Sequence, residues 1–153
     1  MSRLAFLSPH PAYAVSPLRH VRADAFRDVS ALGKLEIRGE LGAIPDVIPI
    51  GPGRGLLVVD GDLRETSERL SAAGYRVYDM TAAFVALEVE GEDLMRRLTE
   101  LDLEALPAIG SFARGTRALI ERRNGARFRV FVPHELGHYV AEVIVDTAAG
   151  LGR

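Results

Sequence analysis

The chain has 153 residues and a formal net charge of −2 at pH 7, enough for one domain with a real core and without the positive field that draws a protein onto nucleic acid or an anionic membrane. It contains no cysteine, which excludes disulfides, thiolate catalysis and sulfur-ligated zinc or iron. No stretch approaches the length of a membrane span, and Leu4-Ala5-Phe6-Leu7, stopped by Pro9, is too short for the apolar region of a signal peptide, so a cytoplasmic location is expected.

Residues 1–27 hold Pro9, Pro11 and Pro17. Proline supplies no backbone donor and disfavours helix before it, so this stretch reads as an extended arm, with Phe6, Tyr13 and Leu18 to dock it on the domain or on a partner. A single α+β domain is expected over residues 28–148, followed by a tail at 149–153. Leu35 and Ile37 mark a first strand near 34–38. Residues 41–55 read as loop. The run Gly51-Pro52-Gly53-Arg54-Gly55 precedes a strand rather than a helix, so it reads as a turn and not as a phosphate cradle.

The apolar run 56–59 is a buried strand. Asp62 and Glu65 form a capping arrangement before a helix that turns Leu63, Thr66, Leu70 and Ala73 inward and stops at Gly74. Residues 75–80 give another strand. Val85, Leu87 and Val89 then alternate with Ala86, Glu88 and Glu90, the period of a strand with one buried face. Gly91 ends it, and Glu92 and Asp93 open a helix carrying Leu94, Leu98 and Leu101. Residues 102–114 read as a linker. Strands at 116–122 and 127–132 meet at Asn124-Gly125, a hairpin signal. A last helix is expected over 134–148, with Leu136, Tyr139, Val140, Val143 and Ile144 on its core face.

One phrase occurs twice. Asp28-Val29-Ser30-Ala31 leads to Leu35-Glu36-Ile37-Arg38-Gly39-Glu40, and Asp79-Met80-Thr81-Ala82 leads to Leu87-Glu88-Val89-Glu90-Gly91-Glu92. The second copy is one residue longer between Asp and Gly. This suggests an internal duplication and predicts that strands near 34–38 and 84–90 take related positions in one sheet system. From residue 56 the element order is that of a ferredoxin-like βαββαβ core. The expected class is α+β, a mainly antiparallel sheet with helices on one face.

Residues 28–39 resemble the early motif of the glycine-cleavage aminomethyltransferase family, 50–60 its next strand, and 79–91 its second motif. Residues 101–112, the hairpin and the last helix are similar to the end of that family's folate-binding domain. By size and wording the chain resembles the sarcosine oxidase gamma subunit family, small relatives that assemble with flavin-bearing alpha and beta subunits. The pattern also departs from the family. Its folate-binding enzymes carry a long insertion with a folate-contacting acidic residue where residues 41–55 stand here. They carry an acidic residue near the turn of the late hairpin, whereas Arg122-Arg123-Asn124-Gly125-Ala126-Arg127 has none. The cysteine motif of the related iron–sulfur repair proteins is missing.

The resemblance therefore implies the aminomethyltransferase-type fold and a non-catalytic, gamma-like accessory subunit of a flavin- and folate-linked amine oxidase. It implies larger partner subunits bearing FAD or FMN and tetrahydrofolate, and no cofactor on this chain. A stand-alone folate- or small-molecule-binding protein of the same fold is the alternative.

His134-Glu135-Leu136-Gly137-His138 matches H-E-x-x-H, which on a helix sets two imidazoles one turn apart for zinc with the glutamate as general base. A zinc metallopeptidase is thus a further alternative. Against it, no metzincin-type third histidine follows, Glu142 and Asp146 sit on the same helix, and His10 and His20 lie in the arm. The face carrying His134, His138, Ala141, Val145 and Ala148 is instead expected to meet a partner subunit. Arg114, Arg117, Arg122, Arg123, Arg127 and Arg129 cluster around the hairpin as a basic patch, read chiefly as a charged edge that resists aggregation, with a carboxylate substrate, an acidic partner or, less favoured, RNA as the alternatives.

Overall fold

The computed structural model describes Ser16, Leu18 and residues 24–152; the greater part of the expected arm and Arg153 lie outside the described residues. In chain order the elements are β1 (Arg27–Asp28), β2 (Gly33–Arg38), β3 (Ile48–Gly51), β4 (Arg54–Val59), α1 (Leu63–Ala72), β5 (Arg76–Asp79), β6 (Phe84–Glu90), α2 (Glu92–Leu98), β7 (Ala108–Phe112), β8 (Thr116–Asn124), β9 (Arg127–Pro133) and α3 (Gly137–Ala149). The class is α+β with antiparallel pairing throughout, but the strands form two sheets rather than one. A five-stranded sheet runs β1-β6-β9-β8-β7 and a four-stranded sheet runs β3-β4-β2-β5. The βαββαβ order is present along the chain and divides between them.

The alternation in β2 and β6 explains the division. Their apolar sets face helices. Leu35 and Ile37 pack with Leu70 of α1, and Val85, Leu87 and Val89 pack with Leu94 and Met95 of α2 and Val140 and Ile144 of α3. The other set, Lys34, Glu36, Ala86 and Glu88, is buried too. Those side chains lie between the sheets, beside a small apolar cluster of Ile48, Leu56, Ala86, Leu119 and Phe131. A polar residue at every second position had signalled solvent; here it signals a second packed face. The helices accordingly cover the outer face of each sheet, not one face of a single sheet.

Two stretches read as loop and linker supply edge strands, β3 and β7. Pro49 in β3 and Gly110 in β7 lower strand propensity, which is tolerated at an edge where one side needs no partner. At the other end of the five-stranded sheet, β1 joins Arg27, the last residue assigned to the arm, to Asp28, the first assigned to the domain. Asp62 caps α1 by accepting from the Glu65 amide at 2.9 Å.

The last helix needs a correction. His134–Leu136 form a 3-10 turn, and α3 begins at Gly137. A Cβ on Gly137 would come within 2.7 Å of Val85 Cγ2, so glycine permits the close seat of the helix on β6. The buried stripe is Gly137, Val140, Ala141, Val143, Ile144 and Ala148, while Leu136 and Tyr139 turn outward. Small residues line the stripe because the helix lies close to the sheet; their size had suggested an outer face.

The repeated phrase crosses between the sheets. β1 leads into β2 but pairs with β6, Asp28 opposite Leu87; β5 leads into β6 but pairs with β2, Asp79 opposite Leu35. The joining hydrogen bonds are equivalent. Val29 N–H donates to Ala86 C=O at 2.9 Å, and Met80 N–H donates to Lys34 C=O at 2.8 Å. Ser30 Oγ accepts from Ala86 N–H at 3.1 Å, and Thr81 Oγ1 accepts from Lys34 N–H at 3.0 Å. Asp28 and Asp79 each accept from the amide two residues on, at 3.0 and 2.9 Å. The two copies do take related positions, one in each sheet.

Candidate functional site

The polar positions of β2 and β6 meet between the sheets. Glu88 Oε1 accepts from buried Arg129 at 3.1 Å and its Oε2 from Arg27 at 2.6 Å. Arg129 also donates to Glu121 Oε1 at 3.2 Å. Strand register sets Arg27, Glu88, Arg129 and Glu121 side by side across four strands. Burial works to raise the Glu88 carboxyl, but the Arg129 hydrogen bond and the attraction of Arg27 and Arg129 hold it below the ordinary range. At Glu121 burial prevails and the carboxyl is pushed up, with Arg123 and Arg129 offsetting only part.

Lys34, the single lysine of the chain, is fully buried. Its Nζ donates to the carbonyls of Ser30 (2.7 Å), Leu32 (3.0 Å) and Thr81 (3.3 Å), tying together the two crossing segments. Burial lowers its pKa to about 8 against the opposing pull of Asp28 and Asp79. With its protons committed to carbonyls it acts as a structural clamp.

At one end of this layer the sheets part to leave a cleft of about 360 Å³. Its walls include Leu56 of β4, Phe84 of β6, Ile109 of β7, Leu119 of β8 and Phe131 of β9. Its polar lining is Glu36, Arg54 and Arg117. Glu36 Oε1 accepts from Arg38 Nε at 2.8 Å and Arg54 Nε at 3.1 Å. Burial would raise the Glu36 carboxyl, but these two hydrogen bonds hold it low. Arg117 has no acidic partner among the described residues.

The residues singled out in the sequence are dispersed. His134 and His138 are exposed and straddle the junction of the 3-10 turn and α3, so the H-E-x-x-H pair does not lie on one continuous helix. Among the described residues no group of three or more His, Asp or Glu side chains is placed to hold a metal ion. Of the expected partner face, Val145 is exposed with the two histidines, whereas Ala141 and Ala148 belong to the chain's own core. The arginines do not form one patch. Arg122 is tied to Glu92 (2.9 Å) and Glu104 (3.2 Å) and lies over Phe128. Arg129 is buried, Arg127 is exposed, and Arg117 and Arg123 line different cavities. Sequence reasoning missed the layer between the sheets. The signal was the glutamate at the same place in both copies of the phrase, together with the lone lysine.

No protein-family model matches the sequence, and no curated protein matches it. Among solved structures, the fold is similar to a chain of the heterotetrameric sarcosine oxidase from Corynebacterium sp. U-96, determined in complex with pyrrole 2-carboxylate. The match has a TM-score of 0.76 at 17% identity and covers 91% of this chain and 96% of that chain. At that identity the likeness establishes the fold, that of a sarcosine oxidase subunit. No helix among the described residues is long and apolar enough to cross a membrane.

Proposed function

We propose that this chain is an accessory, gamma-like subunit of a multisubunit amine-oxidising complex, with flavin and folate chemistry carried by larger partners. The observation that supports this is the match along nearly the full length of both chains to one subunit of a heterotetrameric sarcosine oxidase. A domain of about the same extent as that chain is in keeping with a small subunit of the same kind. The outward face of α3 and its preceding turn adds physical support, because Leu136, Tyr139 and Val145 are all exposed there. Exposed apolar side chains along one helix and its preceding turn favour contact with another chain.

The test is purification from the native source through a tag on this chain. The expected result is larger, flavin-bearing polypeptides in fixed ratio, with N-methylamine-dependent peroxide production in the same fraction. Recovery of the chain alone, or with partners lacking flavin, refutes the reading. A Tyr139→Glu, Val145→Arg double variant is expected to fold normally and to lose the partners. A stand-alone binding protein of the same fold is the second reading, favoured by the cleft between the sheets.

A further inference from the structure

The cleft holds more positive charge than the protein neutralises. Glu36 is its single lining carboxylate among the described residues, and it is already bridged by Arg38 and Arg54. Arg117 enters from the opposite sheet with no acidic partner among the described residues. The remaining walls are mostly apolar, with Phe84, Ile109 and Phe131 among them. The volume, about 360 Å³, is that of a small-molecule site. A neutral ligand would leave the exposed guanidinium of Arg117 to solvent and draw no affinity from it. A ligand with several charges would have to bury the surplus against apolar side chains. An apolar body with one carboxylate satisfies both, and a planar fork of N–H donors matches a carboxylate well. We propose that the cleft between the sheets binds a small amphipathic monocarboxylate, its head on Arg117 and its body between the sheets.

The proposal rests on cleft geometry and not on the subunit reading. The test titrates 1-naphthoate into the purified full-length chain, followed by amide NMR. Saturable shifts confined to residues around the cleft are expected. Arg117→Ala, an exposed site whose loss leaves the fold intact by thermal unfolding, weakens binding at least about tenfold, as expected for a lost charge-assisted hydrogen bond. Arg127→Ala, outside the cleft, leaves affinity unchanged. Ile109→Trp, which fills the cleft while keeping Arg117, abolishes binding, and the neutral 1-naphthamide binds at least about tenfold more weakly. Absence of saturable binding, an affinity indifferent to Arg117→Ala, or equal affinity for the amide overturns the proposal. Binding lost when larger subunits are bound overturns it as well, since the cleft then receives a partner's side chain. A chain that binds naphthoate but recovers no flavin-bearing partner refutes the subunit reading alone.

Discussion

Glu36 and Glu88 stand at the same point of the repeated phrase, both face the space between the sheets, and both are held by two arginines. Their surroundings differ. Opposite Glu36 in the ladder is Leu56, and opposite Glu88 is Arg129. The arginines on Glu36 reach in from the rim, their side chains 42% and 47% exposed, whereas Arg129 is 9% exposed and is shared with Glu121. A second exchange sets buried Lys34 in one copy against Ala86 in the other. The two copies share the backbone bonds that join the halves and differ in the side chains between the sheets. One end holds an ionic row and the other a cleft.

The most severe test of this contrast removes Arg129. Leucine there leaves Glu88 and Glu121 buried without their shared guanidinium, and breaking a buried ion pair from one side costs about 3–5 kcal/mol. Chemical denaturation at neutral pH should show a loss of that size. The deficit should shrink as pH falls through the ordinary carboxylate range, because protonation discharges the two glutamates, which keep only the more exposed Arg27 and Arg123 as partners. A loss that is small, or that grows in acid, would mean the row contributes little.

Lys34 sharpens the second exchange. Its folded pKa, about 8, lies below the usual lysine value, so the unfolded chain binds the proton more tightly. The contribution of Lys34 to stability is therefore lowest where both states are protonated, below about pH 8, and rises as pH climbs toward the unfolded value of 10.5. The rise is on the order of 3 kcal/mol, from 1.36 kcal/mol per unit. Lys34→Met removes that rise, and comparing the two proteins cancels the tyrosines. As the only lysine, its Nζ can be followed directly by nitrogen NMR; a midpoint near 10.5 would contradict the buried clamp.

The sequence showed some of this clearly. The cap at Asp62, the Asn124-Gly125 turn and the alternation of β6 are local signals, each set by a few neighbouring residues, and each holds. The repeat was visible as a phrase, yet its crossing was not, because a strand's partner is chosen by packing and not by the strand's own residues. Lys34 and Glu36 looked like solvent-facing positions, since alternation reports that two faces differ but not that one of them meets water. Ala141 and Ala148 misled for a related reason: a small side chain reads alike on a surface and in a tight helix–sheet contact. The cleft brings together residues of seven strands and leaves no local trace.

The crossing itself is tested by a matched pair. Ser30→Ala strands the buried Ala86 amide and Thr81→Val strands that of Lys34, each at about 1–3 kcal/mol for an unsatisfied buried donor. If the halves are equivalent at the backbone, the two losses should agree within about 1 kcal/mol, an ordinary margin for mutants. Denaturant midpoints report this directly, and Thr81→Val without cost would make the crossing one-sided.

The smallest effect belongs to Arg54. Its guanidinium is half exposed and Glu36 keeps Arg38 when it is removed, so Arg54→Ala should cost no more than about 1 kcal/mol at neutral pH, the range of exposed ion pairs. Its mark should be on titration. Burial works to raise the Glu36 carboxyl, and the Arg54 hydrogen bond is one of the two that hold it down, so its midpoint should move up toward the ordinary range. A carboxyl held low in the folded state stabilises above its unfolded pKa, and the benefit disappears as pH falls through the folded value. The variant should lose this contribution at a higher pH than the parent chain, visible in carbon NMR of the Glu36 carboxyl and in acid denaturation. A neutral-pH loss as large as that of Arg129→Leu would make the two glutamates energetically alike, and the division into an ionic row and an open cleft would fail.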